Sequence, residues 1–446
     1  MYKEYFFVRI LDLICITACG MLTVMSHKSG YFFLAAVILF ILSFVLPSYA
    51  AKGIPEGHLR RCAYGNVILS VFPVSLLLSI IMLAVMIIEF ETFSWSGLII
   101  YVLVTFLVLL VFFWVGIIFV YTSSLQLGVD KRVIGLLCGM VPVANLIALR
   151  MIVKVTGREV REESIKYWLD KERENDAICA TKYPLLMVHG VFFRASEHLN
   201  YWGRVPEELK KNGAVIYYGG QESAGDVRTC AVEIKEIIDK ITEETGCEKV
   251  NIIAHSKGGL DSRYAITMLG AAPKVASLTT INTPHKGCEF ADYLLSKAPE
   301  ALKNSVAAAY NKGAAALGDK KPDFIKAVTD LTHTGAAALN EEMAPNDGVF
   351  DAIYTQSFGS KLNKAVSGKF PLNLSYNFVK SFDGDNDGLV GERSCSWGSE
   401  FHFIKHEGRR GISHADMIDL NRENIEGFDI REFYVQIVHG LKERGL

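Results

Sequence analysis

The sequence predicts a mostly parallel α/β sheet flanked by helices, with a helical insertion, preceded by an α-helical transmembrane bundle. Three observations carry that prediction. The first third holds several apolar runs long enough to cross a bilayer. The remainder alternates short β-like runs with helical segments, the rhythm of a parallel sheet wrapped by crossover helices. One of those runs, Val250-Asn251-Ile252-Ile253, passes through Ala254 and His255 into Ser256, two glycines and a helix-compatible segment, Leu260 to Leu269.

The chain of 446 residues has room for about two to three domains. Its formal net charge of −2 gives no reason to expect a nucleic-acid partner. Half of the residues are hydrophobic, and the excess sits in the first third. Nine cysteines occur without a CxxC or Cys/His metal spacing, which reads as buried free thiols rather than a disulfide framework.

Residues 1–155 form the predicted transmembrane region, with four to five segments. Gly97 to Tyr121 is the firmest span, 25 residues without a charge. Val67 to Ile88 and Tyr31 to Tyr49 follow, and Tyr5 to Met25 is a fourth. The fourth carries Arg9 and Asp12, three apart and so on one helical face, where they could pair; the alternative is a helix that begins after Asp12 and lies partly at the interface. Val133 to Val153 is a weaker fifth, interrupted by Gly139, Pro142 and Asn145. Lys52, Arg60 and Arg61 place one loop on the cytoplasmic side, and the loop Glu89 to Trp95 has acids and no bases, so it reads as external. If the fifth segment spans, the following domain lies outside, against the preference of Arg150, Lys154, Arg158 and Arg161; the free cysteines favour the cytoplasm. Residues 156–182 open with a mixed-charge run and read as a solvated linker or helix.

The domain at 183–446 has β-like runs at Pro184–Val188, Ala214–Tyr218, Val250–Ile253, Val275–Ile281, Tyr376–Phe382 and Phe401–Ile404. Residues 292–346 break the rhythm and are too long for an unstructured loop, so they read as inserted helices and a lid.

The segment around Ser256 matches a strand–turn–helix elbow, A-x-S-x-G in place of G-x-S-x-G. Its flanking residues must be small because the chain turns sharply there. A site for acyl transfer needs a nucleophile, a base, an acid that orients the base, and amide donors for the oxyanion. Ser256 is the candidate nucleophile. Asp387, in Asp383-Gly384-Asp385-Asn386-Asp387-Gly388, is the candidate acid. The same stretch also matches the first half of a calcium loop, which lacks its closing Glu because Ser394 stands there. His414 is the candidate base, with His406 as the alternative. The amides of Val191 and Lys257 are the expected oxyanion donors, so a Lys side chain at 257 carries no penalty in principle. His189 reads as structural.

These residues resemble the bacterial triacylglycerol lipases of the α/β-hydrolase superfamily. Pro184-Leu-Leu-Met-Val-His-Gly190 is similar to their oxyanion strand, and Ala254-His-Ser-Lys-Gly-Gly259 to their elbow. Thr280-Ile-Asn-Thr-Pro-His-Lys-Gly-Cys-Glu-Phe-Ala-Asp292 and Leu331 to Asn340 are similar to segments before and after their lid. Asn386-Asp-Gly-Leu-Val390 and Ser413-His-Ala-Asp416 resemble their acid and base motifs. The likeness covers residues 183–425 and leaves the membrane region outside it. It implies an ester hydrolase with Ser256, Asp387 and His414 as the triad, Val191 and Lys257 at the oxyanion, and no required cofactor. It also implies a structural calcium for which Asp416 matches one ligand, although the next ligand position is Leu420. The expected partners are a lipid or ester substrate and the bilayer. Two other outcomes share the pattern: an acyltransferase or phospholipid deacylase with the same triad, and a membrane transporter or sensor with an inactive hydrolase-like domain.

Overall fold

A computed structural model describes residues 2–55, 57–89, 94–139, 141, 143–191, 201–316, 318–369 and 372–446. They fall into two compact units, 1–172 and 173–446.

In the first unit, long apolar runs give four long helices, two of them with an internal proline, Pro47 and Pro73. These are α1 (Tyr2–Met25), α2 (Gly30–Ala50), α3 (Gly57–Ile88) and α4 (Trp95–Ser123). All four are long and apolar enough to cross a membrane. Ser29 caps α2 by accepting from the Tyr31 amide. Ile16, Ile68, Val71 and Phe112 pack between the helices, while Phe33, Ile80, Leu103 and Phe106 face outward and exposed, as lipid-facing side chains would. Among the described residues Asp12 is fully buried with neither carboxyl oxygen hydrogen-bonded. The pairing with Arg9 is not formed; Arg9 instead reaches Asn66 Oδ1 at 3.4 Å.

The fifth apolar segment is not one span. It is divided between α5 (Val129–Cys138) and α6 (Ala144–Glu172). The break contains Gly139 and Val143, whose φ of 67° no continuous helix allows; Pro142 lies outside the described residues, as do 90–93 of the acidic loop. The mixed-charge run continues α6 to Glu172. It is not wholly solvated: buried Glu159 accepts from Ser124 Oγ at 2.5 Å and the Leu125 amide at 2.7 Å, closing the turn after α4.

The second unit is built on six parallel strands in the order β2-β1-β3-β4-β5-β6. In chain order the elements are β1 (Leu185–Val188), α7 (Val205–Lys211), β2 (Ile216–Tyr218), α8 (Val227–Thr245), β3 (Val250–His255), α9 (Lys257–Met268) and β4 (Val275–Ile281). Then come α10 (Glu289–Ser296), α11 (Glu300–Ala316), α12 (Phe324–Thr329), α13 (His333–Met343), β5 (Tyr354–Ser360), α14 (Leu372–Asp383), α15 (Glu392–Cys395), β6 (Glu400–Ile404) and α16 (Ile430–Glu443). β1, β3 and β4 are buried on both faces, as parallel strands covered by helices on both sides are; the polar Asn251 and Ser277 on β3 and β4 answer each other at 2.7 Å. α8 shows how a covering helix is specified. Asp226 caps its start, Val227, Ala231, Ile234, Ile238 and Ile241 line one face, and Gly246 ends it in the left-handed conformation. One core lies between the sheet and α8 and α9, and another between the sheet and α7 and α16.

Two strand assignments differ from the sequence reading. Tyr376–Phe382 is not a strand but part of α14. Leu372, Ser375, Tyr376 and Val379 are its buried residues, a spacing of three and four that a helix satisfies and a strand cannot. The fifth strand is instead Tyr354–Ser360, too polar to stand out: its Gln356 amide reaches Thr279 Oγ1 on β4 and its Ser357 hydroxyl donates to the Trp397 carbonyl. The long insertion is helical, α10 to α13, followed by a 3-10 stretch over Ala344–Ala352. Seven of the nine free cysteines are buried, and Cys138 and Cys247 are half-buried.

Candidate active site

Open parallel sheets present their ligand sites beyond the carboxyl ends of the strands, where the strand order reverses. Here the reversal lies between β1 and β3. His189, Gly190 and Val191 follow β1, and Ser256 follows β3.

Ser256 has φ 54° and ψ −132°, a conformation a side-chain-bearing residue adopts only under local constraint. The constraint is visible. The Ser256 amide donates to Ile281 O on β4 at 2.9 Å, and α9 starts at the next residue. The turn leaves no room for larger neighbours: a Cβ at Gly258 would stand 2.4 Å from the His189 carbonyl oxygen.

His414 lies on the loop after β6. Its amide donates to Asp387 O at 3.0 Å, and its Nδ1 lies 2.6 Å from Asp387 Oδ2. The Asp387 side chain is fully buried. Its Oδ1 accepts from the Leu389 and Val390 amides, each at 2.8 Å, and its Oδ2 also accepts from Asn282 Nδ2 at 2.5 Å. Donors surround the carboxylate, so the imidazole presents Nδ1–H to it and its lone pair is on Nε2. Among the described residues the Ser256 hydroxyl makes no hydrogen bond. Such contacts commonly tighten only when substrate is bound.

The expected oxyanion pair has the right surroundings. Neither the Val191 nor the Lys257 amide donates to another described residue; Phe192, next in the loop, lies outside them. Gly190 approaches the elbow so closely that a Cβ there would stand 2.7 Å from Ser256 Cβ. Its amide donates to the Tyr201 hydroxyl at 3.0 Å, and that hydroxyl lies 2.7 Å from His255 Nδ1. Tyr201 therefore ties the loop after β1 to the residue before Ser256. Burial, helped by neighbouring His414, holds His255 well below the usual histidine range. Its neutral ring shares one hydrogen bond with the tyrosine hydroxyl through Nδ1.

The Lys257 side chain does carry a requirement. It turns into the core and meets Asp261 at 2.7 Å, both side chains 2% exposed. Burial pushes the Asp261 carboxyl up to about 7 against the pull of Lys257. A buried lysine is tolerated after Ser256 because α9 supplies its counter-charge one turn later.

His406 is not at the site; its Nε2 faces the Glu426 carbonyl at 2.6 Å and its Nδ1 accepts from Gly408 N. His189 has both ring nitrogens on backbone carbonyls, Gly190 O and Gln221 O. The acidic loop does not form a cation cage: Asp385 pairs with Lys361 at 2.8 Å, Asp387 with His414, and Ser394 with the Gly287 carbonyl. The calcium implied near His414 does not fit either. Asp416 Oδ2 accepts from Ser413 N and Oγ, and its Oδ1 meets the Arg410 guanidinium at 3.0 Å. Arg410 also holds Glu423 at 3.0 Å. A cationic side chain stands where a calcium would have to bind.

Sequence reasoning missed Asn282, Tyr201 and Asp261. Asn282 had a signal, since it ends β4 inside the Thr-Ile-Asn-Thr-Pro-His segment and takes φ 46°. Tyr201 had none.

The family described as "Putative serine esterase (DUF676)" matches residues 185–312. A triacylglycerol lipase of Pseudarthrobacter phenanthrenivorans is 36% identical over 143 residues, 30% of this chain and 44% of that one. Its counterpart from Burkholderia plantarii is also 36% identical over 143 residues, 39% of its own length. The chain thus spans less than half the length of these two relatives. The triacylglycerol lipase of Pseudomonas fragi is 28% identical over 297 residues, 60% of this chain and 98% of that one. Among solved structures, mature Bacillus licheniformis lipase BlEst2 aligns over 54% of this chain and 88% of its own at 22% identity, with a TM-score of 0.42.

Proposed function

We propose that this chain, whose carboxy-terminal unit is an α/β hydrolase of the lipase family, is a membrane-anchored serine ester hydrolase that cleaves lipid acyl esters. The observation that carries the reading is the 2.6 Å contact of His414 Nδ1 with buried Asp387, formed at the same sheet edge as the constrained Ser256. Alone, a serine on a tight turn is a common feature; with an oriented imidazole and two unengaged amides it is equipped for acyl transfer.

In this mechanism the Ser256 oxygen attacks the ester carbonyl while its proton passes to His414 Nε2. Negative charge collects on the carbonyl oxygen and is met by the Val191 and Lys257 amides, which are fixed beforehand. Asp387 stabilises the imidazolium through Nδ1–H. The tetrahedral centre collapses, the alcohol leaves with the proton from Nε2, and the acyl group remains on Ser256. Water then gives a proton to Nε2 and attacks the acyl carbonyl. Collapse breaks the acyl–Oγ bond, returns the proton to Ser256 and releases the acid. No metal enters any of these steps.

Four candidate spans among the described residues support this reading, because an even number suits the charge pattern. With α4 returning to the cytoplasm, Lys131, Arg132, Arg150, Lys154, Arg158 and Arg161 all lie on the side the positive-inside bias favours. On this reading the hydrolase unit is on the cytoplasmic side.

The test is labelling of the detergent-solubilised full chain with a fluorophosphonate probe, alongside hydrolysis of short and long acyl esters. Wild type is expected to label and turn over, and Ser256→Ala to do neither. A folded wild type that neither labels nor hydrolyses any ester would end the proposal.

A further inference from the structure

A second cluster of chemistry-bearing side chains lies apart from the Ser256 constellation, where the helical insertion meets the stretch before Asp387. Glu289 and Asp292 sit on the first turn of α10, His333 opens α13, and Asp383 ends α14. One ring nitrogen of His333 and one carboxylate oxygen each of Glu289 and Asp383 lie within 4.8 Å of one another. Asp292 Oδ2 is 2.7 Å from His333 Nδ1, and Glu289 Oε1 is 3.9 Å from that nitrogen. We propose that Glu289, Asp292, His333 and Asp383 form a binding site for a divalent transition cation of the zinc class.

Three features favour a cation over a merely acidic patch. Among the described residues no lysine or arginine forms a salt bridge with any of the three carboxylates. Asp383 Oδ2 is buried and has no hydrogen-bond partner among them. Asp383 also ends its helix at the negative pole of the dipole, where an anion is disfavoured; a positive ion would relieve both defects. Ligand atoms around a tetrahedral zinc with bonds of about 2.1 Å stand about 3.4 Å apart. The Glu289 and His333 side chains are 27% and 42% exposed, so small rotations can close the remaining gap. On binding, the cation takes the Nδ1 lone pair, the imidazole keeps its one proton on Nε2, and the hydrogen bond from Nδ1 to Asp292 is given up. One imidazole among three carboxylates selects a first-row cation over calcium, whose ligands are oxygens. The bound ion would fasten α10 and α13 to the segment that leads, four residues on, to Asp387. It holds independently of the chemistry at Ser256.

The experiment is calorimetric titration of zinc chloride into the full chain in detergent after chelator treatment and desalting. Wild type is expected to take up one equivalent saturably, and calcium chloride to give no saturable heat at the same concentrations. His333→Ala and the isosteric Asp383→Asn should each weaken binding about tenfold or more, with unchanged circular dichroism. His402→Ala, which removes an exposed histidine on β6, should bind as wild type does. The proposal falls if wild type shows no saturable zinc uptake. It falls equally if His333→Ala binds like wild type, or if calcium binds more tightly than zinc.

Discussion

Gly190→Ala isolates the oxyanion loop from the rest of the site. The added Cβ would stand 2.7 Å from Ser256 Cβ, 3.0 Å from the His255 carbonyl oxygen and 3.0 Å from the Tyr201 hydroxyl. Carbon atoms in ordinary contact are about 3.5–4.0 Å apart, so something must give by about 1 Å. The elbow is the stiffer side, because β3 is paired on both edges and the Ser256 amide is held by β4. The loop therefore retreats, and the Val191 amide moves with it. Loss of one oxyanion donor costs about 10²–10³ in kcat, about 2.7–4 kcal/mol. The overpacking itself should lower stability by only about 1–3 kcal/mol. The assay is steady-state hydrolysis of a soluble p-nitrophenyl ester, with thermal unfolding on the same preparation. The expected result is kcat down about a hundredfold or more with KM little changed, the mark of an interaction made in the transition state. A folded Gly190→Ala that keeps kcat within about threefold of wild type would refute the placement of the oxyanion at this loop.

Asp387→Asn should fold and lose about 10⁴ in kcat, because an amide at 387 can donate to Nδ1 and strand the imidazole in the wrong tautomer; activity against pH and near-wild-type melting check it. Lys257→Met removes the counter-charge of buried Asp261 and should destabilise by about 3 kcal/mol or more, while adding Asp261→Leu should recover most of that. In Lys257→Met the folded-state carboxyl, already raised, titrates well above the unfolded one, so the fold binds the proton more tightly and denaturant unfolding should show stability falling as pH rises from 5 to 8. Arg410→Ala leaves Asp416 without its guanidinium and should cost about 1–3 kcal/mol, whereas millimolar calcium should leave the wild-type melting temperature unchanged.

Legibility followed burial and chain locality. The elbow was readable because its four constraints, an apolar strand, small flanks, Ser256 and a following helix, lie within about a dozen residues. β5 was not, because a central strand can bury Gln356 and Ser357 when a neighbouring strand and loop answer their hydrogen bonds, and no periodicity records that. α14 was misread because a half-buried amphipathic turn and a short strand have the same composition over seven residues. A pairing of Arg9 and Asp12 followed correct helical spacing but ignored Asn66, fifty-seven positions away. Lys257 was legible as a backbone donor, while its need for Asp261 was hidden because two charges one turn apart normally signify a solvated helix face.

The candidate acid shows how motif order and strand prediction differ as guides. Asp387 does not stand directly at a strand end; a helix and a turn lie between it and β5. What fixes it is Asn282, which does stand at a strand end. Its side chain spans from Ser360 Oγ at the end of β5, at 2.8 Å, to Asp387 Oδ2. The amides of Leu389 and Val390 hold the other oxygen. The carboxylate is thus positioned relative to the sheet through an intermediary, and the intervening chain is free to be helix or strand. A reading that requires the candidate acid to follow a strand reaches Asp387 only by mistaking that intervening helix for one. A reading based on chain order survives, since order is indifferent to what lies between.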